Sequence, residues 1–138
     1  MGDEIIFLLE DDENDASFIK TCLKKFTKDE NIFHFENGAD LLEYVSESKI
    51  NNNRLPGLFL MDLKTPKING LQVLQQLKSD ERTKSIPVII MTSSQEEKDL
   101  KDSYAFGANS FVVKPIDFKV FEKTIEAVGN YWLNVNRA

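Results

Sequence analysis

Five short apolar runs alternate along the chain with segments whose apolar residues recur at helical spacing, as at Ile19, Leu23 and Phe26. The runs are rich in Ile, Val, Leu and Phe, and several contain no polar residue, which is typical of strands covered on both faces. Because strand and helix alternate five times, we predict a parallel sheet with helices on both sides. The five predicted strands are Ile5–Leu9, Ile32–Phe35, Leu58–Met61, Val88–Met91 and Phe111–Val113.

The length of the chain favours a single domain. Its 138 residues are well below the roughly 250 at which hydrophobic cores begin to divide. We therefore expect one domain over residues 1–138, with no output domain after it. The stretch Asn51–Gly57 is rich in Asn, Pro and Gly, but it is short and runs into a predicted strand, so we predict a loop there.

The charge of the chain excludes several classes of partner. With 17 basic and 23 acidic side chains the net charge is −6, which argues against broad binding to nucleic acid or to an anionic membrane. No apolar run approaches the ~20 residues that a membrane-spanning helix needs. The single Cys22 excludes an internal disulfide and favours a cytoplasmic location, and with only one histidine, His34, a zinc site is disfavoured.

Polar side chains follow four of the predicted strands. Glu10, Asp11 and Asp12 follow the first strand, and Asp62 follows the third. In an open parallel sheet such residues lie along the carboxyl edge, where ligands bind. We predict a flavodoxin-like (βα)5 fold with strand order 2-1-3-4-5, in which the first and third strands are neighbours. Asp11 and Asp62 are then expected to face each other.

The acidic cluster from Glu10 to Asp15 has two interpretations. Acidic residues favour helix N-termini, where each gains ~0.3–1 kcal/mol, and Asp12 is a candidate N-cap. This interpretation does not explain the additional carboxylate of Asp62 on the adjacent strand. Unpaired carboxylates a few ångströms apart repel each other, which raises a pKa or recruits a cation. Oxygen ligands of this kind suit Mg²⁺, so the sequence also indicates a magnesium site.

Two further residues at this edge suit phosphoryl chemistry. The ammonium group of Lys114 can neutralise a transferred phosphoryl group, and a cis bond before Pro115 would aim that side chain. Taken alone, Lys114 is an ordinary turn lysine and Thr92 an ordinary hydroxyl at the end of a strand. The indication comes from the ordered set of Asp11, Asp62, Thr92 and Lys114 on four separate strands.

These residues resemble the receiver domain of bacterial response regulators over essentially the whole chain. The resemblance depends on several motifs that occur in the family's order and at approximately its spacing, which makes it far more specific than any single motif. The matching segments are Leu9-Glu10-Asp11-Asp12, Met61-Asp62-Leu63-Lys64-Thr65-Pro66 with Gly70, Met91-Thr92-Ser93 and Val113-Lys114-Pro115.

The resemblance implies a phosphoacceptor site that depends on Mg²⁺. Asp62 would accept a phosphoryl group from the phosphohistidine of a sensor histidine kinase, and Lys114 would contact that group. Asp11 and Asp62 would bind Mg²⁺ directly, Glu10 would act more through water, and the main-chain carbonyl of Lys64 would complete the protein ligands. The protein would then be a signalling switch rather than a turnover enzyme.

The resemblance also implies how the switch would work. Thr92 would be the switch hydroxyl and Phe111 the switch aromatic, which together change the face formed by helix four, strand five and helix five. Thr65 departs from the family pattern, because an apolar residue usually precedes the proline there. Lys64 and Ser94 occupy positions that tune dephosphorylation in the family, with no direction implied for this chain.

The last predicted helix, roughly residues 117–136, carries more apolar surface than one stripe against the sheet requires. Together with the ending Gly129–Asn134, this resembles the stand-alone response regulators of bacterial phytochrome histidine kinases. That resemblance implies a phytochrome kinase as partner and a homodimer through the last helix, with Phe121, Tyr131 and Trp132 at the interface. One alternative is that these side chains fold back on the core. Another is that the chain is a partner-binding receiver of a non-phytochrome kinase or a phosphorelay shuttle.

Two other functions compete with the phosphoacceptor switch. Phosphatases with an aspartyl-phosphate intermediate carry a second aspartate two residues after the nucleophile, but Lys64 stands there, so the general acid is missing. A degenerate receiver that serves only as a scaffold is the other alternative, although every key position is filled. Neither a G-x-G-x-x-G motif nor a P-loop is present, which disfavours nucleotide binding.

Overall fold

A computed structural model describes residues 3–51 and 54–137, without the side chains of residues 49–51. In this part of the chain five strands alternate with five α-helices, as predicted. A short 3₁₀ turn precedes β2, and a π-helical turn follows α5. The elements are β1 Ile6–Leu9, α1 Glu13–Leu23, 3₁₀ turn Asp29–Asn31, β2 Ile32–Phe35, α2 Gly38–Asn51, β3 Leu58–Met61, α3 Gly70–Ser79, β4 Val88–Thr92, α4 Glu97–Ala105, β5 Ser110–Val113, α5 Phe118–Gly129 and π-helical turn Asn130–Val135.

The five strands form one parallel sheet in the order β2-β1-β3-β4-β5. This confirms the flavodoxin-like (βα)5 fold and the predicted strand order. Leu9, the last residue of β1, pairs with Phe35 on one side and with Met61 on the other. The segments that follow β1 and β3 therefore leave the sheet side by side, which places the predicted site residues at one edge.

Helices cover both faces of the sheet because alternate side chains of each strand point to opposite faces. On one face, Phe7 and Phe59 pack with apolar residues of α2 and α3, such as Leu41 and Leu74. On the other face, side chains of β1 and β3 pack with residues of α1 and α5. That second core contains Ile6, Leu8, Leu60, Ile19, Leu23, Phe121 and Ile125.

Polar side chains cap the N-termini of α1 and α3, which lie at the carboxyl edge of the sheet. The Asp12 carboxylate accepts a hydrogen bond from the Asp15 amide and caps α1, which confirms Asp12 as an N-cap. Asn69 and Gln72 form a reciprocal capping box at the start of α3. The loop predicted over Asn51–Gly57 is wrong at its first residue, because Asn51 is the last residue of α2. Residues 52–53 lie outside the described residues.

The cis peptide bond considered for Lys114-Pro115 is not found in the structure. Among the described residues no peptide bond is cis, so the bond between Lys114 and Pro115 is trans. The Asp117 side chain then accepts hydrogen bonds from the Lys119 and Val120 amides and caps α5. A cis bond is therefore not what directs Lys114 toward the edge of the sheet.

The last helix is not the uniform helix that its apolar spacing predicts. Regular α-helix ends at Gly129, and the chain continues as a π-helical turn to Val135. A side chain at position 129 would collide with the Phe26 ring, so a glycine is needed where this end of α5 lies against the segment after α1. The wider turn changes the direction of the side chains that follow, and Val135 is exposed rather than part of the buried stripe.

The predicted dimer interface is wrong at one residue. Phe121 is only 3% exposed and packs inside the core between α5 and the sheet, so it is not on the surface. Trp132 is half-buried against the same core, as the alternative of a folded-back C-terminus expects. Tyr131 is 48% exposed and remains available.

Within residues 3–51 and 54–137, none of the helices combines the length and apolarity that crossing a bilayer requires.

Candidate functional site

The side chain of Lys114 lies at the centre of a cluster of carboxylates. Its Nζ is 2.6 Å from Glu10 Oε1, 2.8 Å from Asp15 Oδ2 and 2.9 Å from Asp62 Oδ2. These groups come from the ends of β1, β3 and β5 and from the first turn of α1. The side chains of Lys114, Glu10 and Asp62 are largely inaccessible to solvent. The sequence thus brings three acidic groups and one ammonium group to one buried place.

Burial and charge act in opposite directions on this cluster. Burial raises the pKa of Glu10 to about 7 and outweighs the opposing hydrogen bond from Lys114. Burial lowers the pKa of Lys114, but hydrogen bonds to Asp15, Glu10 and Asp62 outweigh it, and the net pKa is raised. The ammonium group therefore remains charged. One positive charge faces three carboxylates, so the cluster keeps an excess of negative charge.

The raised pKa of Glu10 predicts a pH dependence of stability. The folded-state pKa, about 7, lies above the ordinary value of 4.5, so folding favours the protonated form. The resulting stabilisation is complete below pH 4.5 and is lost as the pH rises through 7. From pH 8 to pH 5 we expect the unfolding free energy of the wild type to rise by about 2 kcal/mol relative to Glu10→Gln, as measured by urea unfolding with chelator present. Parallel pH profiles for the two proteins would contradict this pKa.

The carboxylate of Asp62 is held from a second direction by its own loop. Its Oδ1 accepts a hydrogen bond from the Lys64 amide at 3.2 Å, while Oδ2 faces Lys114. The start of α3 packs directly on this segment, since the Gly70 amide donates to the Leu63 carbonyl. A Cβ atom at position 70 would lie 2.0 Å from the Asp62 carbonyl oxygen. Only glycine allows this close approach.

We predict that Gly70→Ala destabilises the protein by about 2 kcal/mol or more, because the backbone of Asp62 must move to accommodate the methyl group. Gly57→Ala is the matched control, since a Cβ atom there would meet only the flexible Glu4 side chain at 3.3 Å. Chemical denaturation of both variants checks the prediction. Equal stability of the two variants would show that α3 does not constrain the Asp62 segment.

Thr92 and Phe111 lie on the two strands beyond Asp62. Thr92 is fully buried, and its hydroxyl oxygen accepts a hydrogen bond from the Ser94 amide at 3.2 Å. Phe111 is partly exposed and packs against the core on the α2 and α3 face. Its amide donates to the Tyr104 hydroxyl of α4 at 3.1 Å, which ties the outer edge of β5 to that helix.

The lone histidine has a structural role beside the cluster. His34 Nε2 lies 2.7 Å from the carbonyl oxygen of Glu10, so that nitrogen carries the proton and donates to the backbone. The bond satisfies a carbonyl group at the point where β1 ends and the chain turns away from the sheet. His34 thereby fixes the backbone of Glu10.

The structure brings together most, but not all, of the residues that the sequence singles out. Glu10, Asp62 and Lys114 are in contact, whereas the Asp11 side chain is exposed. Asp15 also contacts Lys114, although no specific role was predicted for it from the sequence. Its position three residues after the N-cap of α1 was the available signal, because the first turn of that helix faces the edge of the sheet.

The donor chemistry of the cluster fits a hard divalent cation. Its acidic groups supply only oxygen atoms, they carry more negative charge than Lys114 neutralises, and Asp11 lies beside them in sequence. In residues 3–51 and 54–137, however, no three His, Cys, Asp or Glu side chains are already arranged as a metal site. The carboxylates of Glu10 and Asp62 bond to Lys114 instead.

Comparison with known proteins identifies the family. Residues 6–126 match the response regulator receiver domain. The chain is 34% identical to the probable methanogenesis regulatory protein FilR2 of Methanothrix harundinacea, over 97% of this chain and 86% of that protein. It is 29% identical to the response regulator Rcp1 of Synechocystis, over 94% of this chain and 89% of that protein.

Solved structures of receiver proteins have the same fold. The phosphorylated cyanobacterial phytochrome response regulator RcpA superposes with a TM-score of 0.90 at 28% identity, covering 97% of this chain and 96% of that one. The Mn²⁺-bound form of Rcp1 gives a TM-score of 0.88 at 26% identity, with 97% of each chain covered. The chain therefore belongs to the response regulator receiver domain family, whose members act in two-component signalling, and it is similar to phytochrome-associated response regulators.

Proposed function

We propose that this receiver accepts a phosphoryl group on Asp62 from the phosphohistidine of a sensor histidine kinase. The observation that carries the proposal is the position of the Asp62 carboxylate. It is 7% exposed, lies at the carboxyl edge of the sheet, and has one oxygen 2.9 Å from the Lys114 ammonium group. This arrangement supplies both a nucleophile and a fixed positive charge for an incoming phosphoryl group.

In the transfer, a carboxylate oxygen of Asp62 forms a bond to phosphorus as the bond from phosphorus to the donor histidine nitrogen breaks. The electron pair of that bond stays with the imidazole, and an acyl phosphate forms on Asp62. Lys114 stabilises the charge on the phosphoryl oxygens through the transition state. Glu10 and Asp15 hold the ammonium group in position before the donor arrives.

The proposed cation is Mg²⁺, with Asp11, Asp62 and the main-chain carbonyl of Lys64 as ligands and Glu10 acting through water. The excess of carboxylates over ammonium groups in the cluster supports the binding of a divalent cation there. When bound, Mg²⁺ supplies positive charge that neutralises phosphoryl oxygens and the acidic groups around them.

The acyl phosphate adds about −1.5 to −2 charge, as other phosphorylations do, and attracts hydrogen-bond donors. Thr92 is the proposed switch residue, because it is the last residue of β4 and its hydroxyl lies at the same edge of the sheet. Movement of Thr92 vacates space that Phe111 fills, which changes the surface of α4, β5 and α5. The bond between Phe111 and Tyr104 supports this route, since it joins β5 to α4.

Phosphorylation by a small donor tests the proposal without a kinase. The protein is incubated with acetyl phosphate and Mg²⁺, and incorporation is followed by intact mass. We expect one phosphoryl group per chain, stable to acid, labile to base and strongly reduced by chelator. Sustained turnover of phosphomonoesters would indicate a phosphatase instead, and the absence of labelling by any donor would indicate a scaffold.

The proposed partner is a phytochrome histidine kinase, and the proposed location is the cytoplasm. The similarity to RcpA and Rcp1 supports the partner. The similarity to FilR2, a probable methanogenesis regulatory protein, keeps a non-phytochrome kinase as the alternative. Phosphotransfer from a phosphorylated phytochrome kinase and from an unrelated histidine kinase separates the two, since the cognate kinase is expected to transfer much faster.

The proposed homodimer would use an uncharged stripe on the outer side of α5 and of the π-helical turn that follows it. Val120, Ala127 and Tyr131 are exposed at successive turns, and the half-buried Thr124 lies between them. Charged residues of the helix, such as Glu122 and Lys123, lie outside this stripe. These residues replace the buried Phe121 as the proposed contact surface.

We predict that Tyr131→Glu converts the dimer to a monomer, because it places a charge in an apolar contact at the largest exposed side chain of the stripe. Lys123→Glu is the control, as it changes charge on the same helix outside the stripe. Sedimentation of both variants at several concentrations provides the measurement. A wild type that is monomeric at high concentration would contradict the dimer, and a Tyr131→Glu dimer would contradict this interface.

A further inference from the structure

The side chains of Asp62 and Thr92 each accept a hydrogen bond from the backbone amide of the residue two positions further along the chain. The Lys64 amide donates to Asp62, and the Ser94 amide donates to the hydroxyl of Thr92. Lys64 and Ser94 belong to different loops, after β3 and after β4. The side chains of both residues point to a third residue, Asp99, in the first turn of α4.

Asp99 joins the two loops through one carboxylate oxygen. Its Oδ2 accepts a hydrogen bond from the Ser94 hydroxyl at 2.5 Å and lies 3.8 Å from the Lys64 ammonium group. The Asp99 side chain is 18% exposed, whereas that of Lys64 is 67% exposed. The bond to Ser94 is therefore sheltered, while the ion pair with Lys64 lies in solvent and is easily exchanged.

The same contacts stabilise the start of α4. Glu96, at the N-cap, makes no capping bond with its own side chain; its amide instead donates to the Ser94 hydroxyl oxygen. The first backbone hydrogen bond of the helix follows, from the Leu100 amide to the Glu96 carbonyl. The first turn of α4 thus depends on Ser94 and Asp99, two residues that also determine how the loops lie beside Asp62 and Thr92.

We propose that Asp99 is a positioning residue that couples the phosphorylation state of Asp62 to the first turn of α4. The inference rests on the proposed phosphorylation of Asp62. The phosphoryl group carries more negative charge than Asp99 and forms two residues from Lys64, so it attracts the Lys64 ammonium group away from Asp99. Asp99 then keeps only its bond to Ser94, and the first turn of α4 opens more often.

Hydrogen exchange of the Leu100 amide tests the unphosphorylated part of this mechanism. Asp99→Asn keeps an acceptor for Ser94 but removes the ion pair, and Lys64→Gln removes the same pair from the other side. We expect exchange about threefold faster in each, and a double variant no faster than either single one. Asp99→Ala also loses the bond to Ser94, so we expect the Leu100 amide to exchange about tenfold faster than in the wild type.

Glu97→Gln is the matched control, because it removes another carboxylate from the first turn of α4 and has the same effect on the helix dipole. Exchange at Leu100 should be at most slightly faster in this control. If Asp99→Asn and Glu97→Gln change the exchange equally, Asp99 acts only through the helix dipole and the proposal fails.

The second part of the test compares each protein with and without acetyl phosphate and Mg²⁺. In the wild type, phosphorylation should accelerate exchange at Leu100 about threefold, and in Asp99→Asn it should add little. Equal acceleration in both proteins would overturn the proposal. Labelling is monitored by mass, so an unlabelled wild type would identify a failure of the phosphoacceptor function itself, whereas the comparison without donor tests the Asp99 contacts alone.

Discussion

Replacing Lys114 with methionine should lower the free energy of unfolding by about 3 kcal/mol at neutral pH, in buffer without divalent cations. The variant leaves Glu10, Asp15 and Asp62 around a position that no longer carries positive charge. The Glu10 and Asp62 side chains are almost completely buried, so water cannot replace the lost hydrogen bonds. The destabilisation should shrink toward pH 5, as Glu10 becomes protonated.

Lys25→Met is the matched control for this prediction. Lys25, just after α1, forms an ion pair with Glu126 of α5, but its side chain is 64% exposed, so its loss should change the stability far less than the loss of Lys114. Urea unfolding of the wild type and both variants at pH 7.5 and pH 5 gives the comparison. A loss in Lys114→Met no larger than in the control would mean that Lys114 does not balance the charge of the cluster.

The second large effect is expected from Asp62→Asn, which should abolish phosphoryl acceptance from both a small donor and a phosphorylated kinase. An amide oxygen is a much weaker nucleophile than a carboxylate oxygen, whereas the size and shape of the side chain hardly change. The variant should remain folded and be no less stable than the wild type, since it removes one of the mutually repelling negative charges.

Asp12→Asn controls for a general effect of lost acidity at this edge. Asparagine caps helices as well as aspartate does, so α1 should keep its start and the variant should keep its labelling. Incorporation of labelled phosphate into the two variants decides the matter. Substantial labelling of Asp62→Asn would place the acceptor on a different residue.

The sheet could be predicted from the sequence because strands covered on both faces are nearly free of polar residues. The predicted runs Ile32–Phe35 and Leu58–Met61 coincide with β2 and β3, and the others differ from the observed strands by one residue at an end. The parallel topology then followed from the alternation with helices. It also followed that residues after β1, β3, β4 and β5 would share one edge.

The details of the site were harder to predict because they depend on which side chain reaches which partner. Asp15 contacts Lys114 only because α1 begins at Glu13 and directs its first turn over the edge of the sheet. Asp99 meets Ser94 and Lys64 across three separate segments of the chain. Neither contact has a local signal in the sequence beyond the position of an acidic residue in the first turn of a helix.

In the C-terminal helix, apolar spacing predicted which residues lie in the core but not which residues lie on the surface. The pattern correctly places Ile125 and Val128 in the core, but it cannot tell the stripe that covers the sheet from a stripe that meets a partner. Phe121 therefore looked like an interface residue although the core requires it. The α-helix ends at Gly129, which packs against Phe26, a residue about one hundred positions away, and the apolar spacing does not predict the π-helical turn that follows.

Chemical trapping of the acyl phosphate tests the central claim most directly. The protein is phosphorylated with acetyl phosphate and Mg²⁺, reduced with borohydride, digested and sequenced by mass spectrometry. Borohydride reduces an acyl phosphate, but not a free carboxylate, to an alcohol. We predict a single reduced side chain, at Asp62, that requires both the donor and Mg²⁺. Reduction at Asp11, Asp12 or Asp15 instead, or at no acidic residue of a labelled protein, would contradict the account.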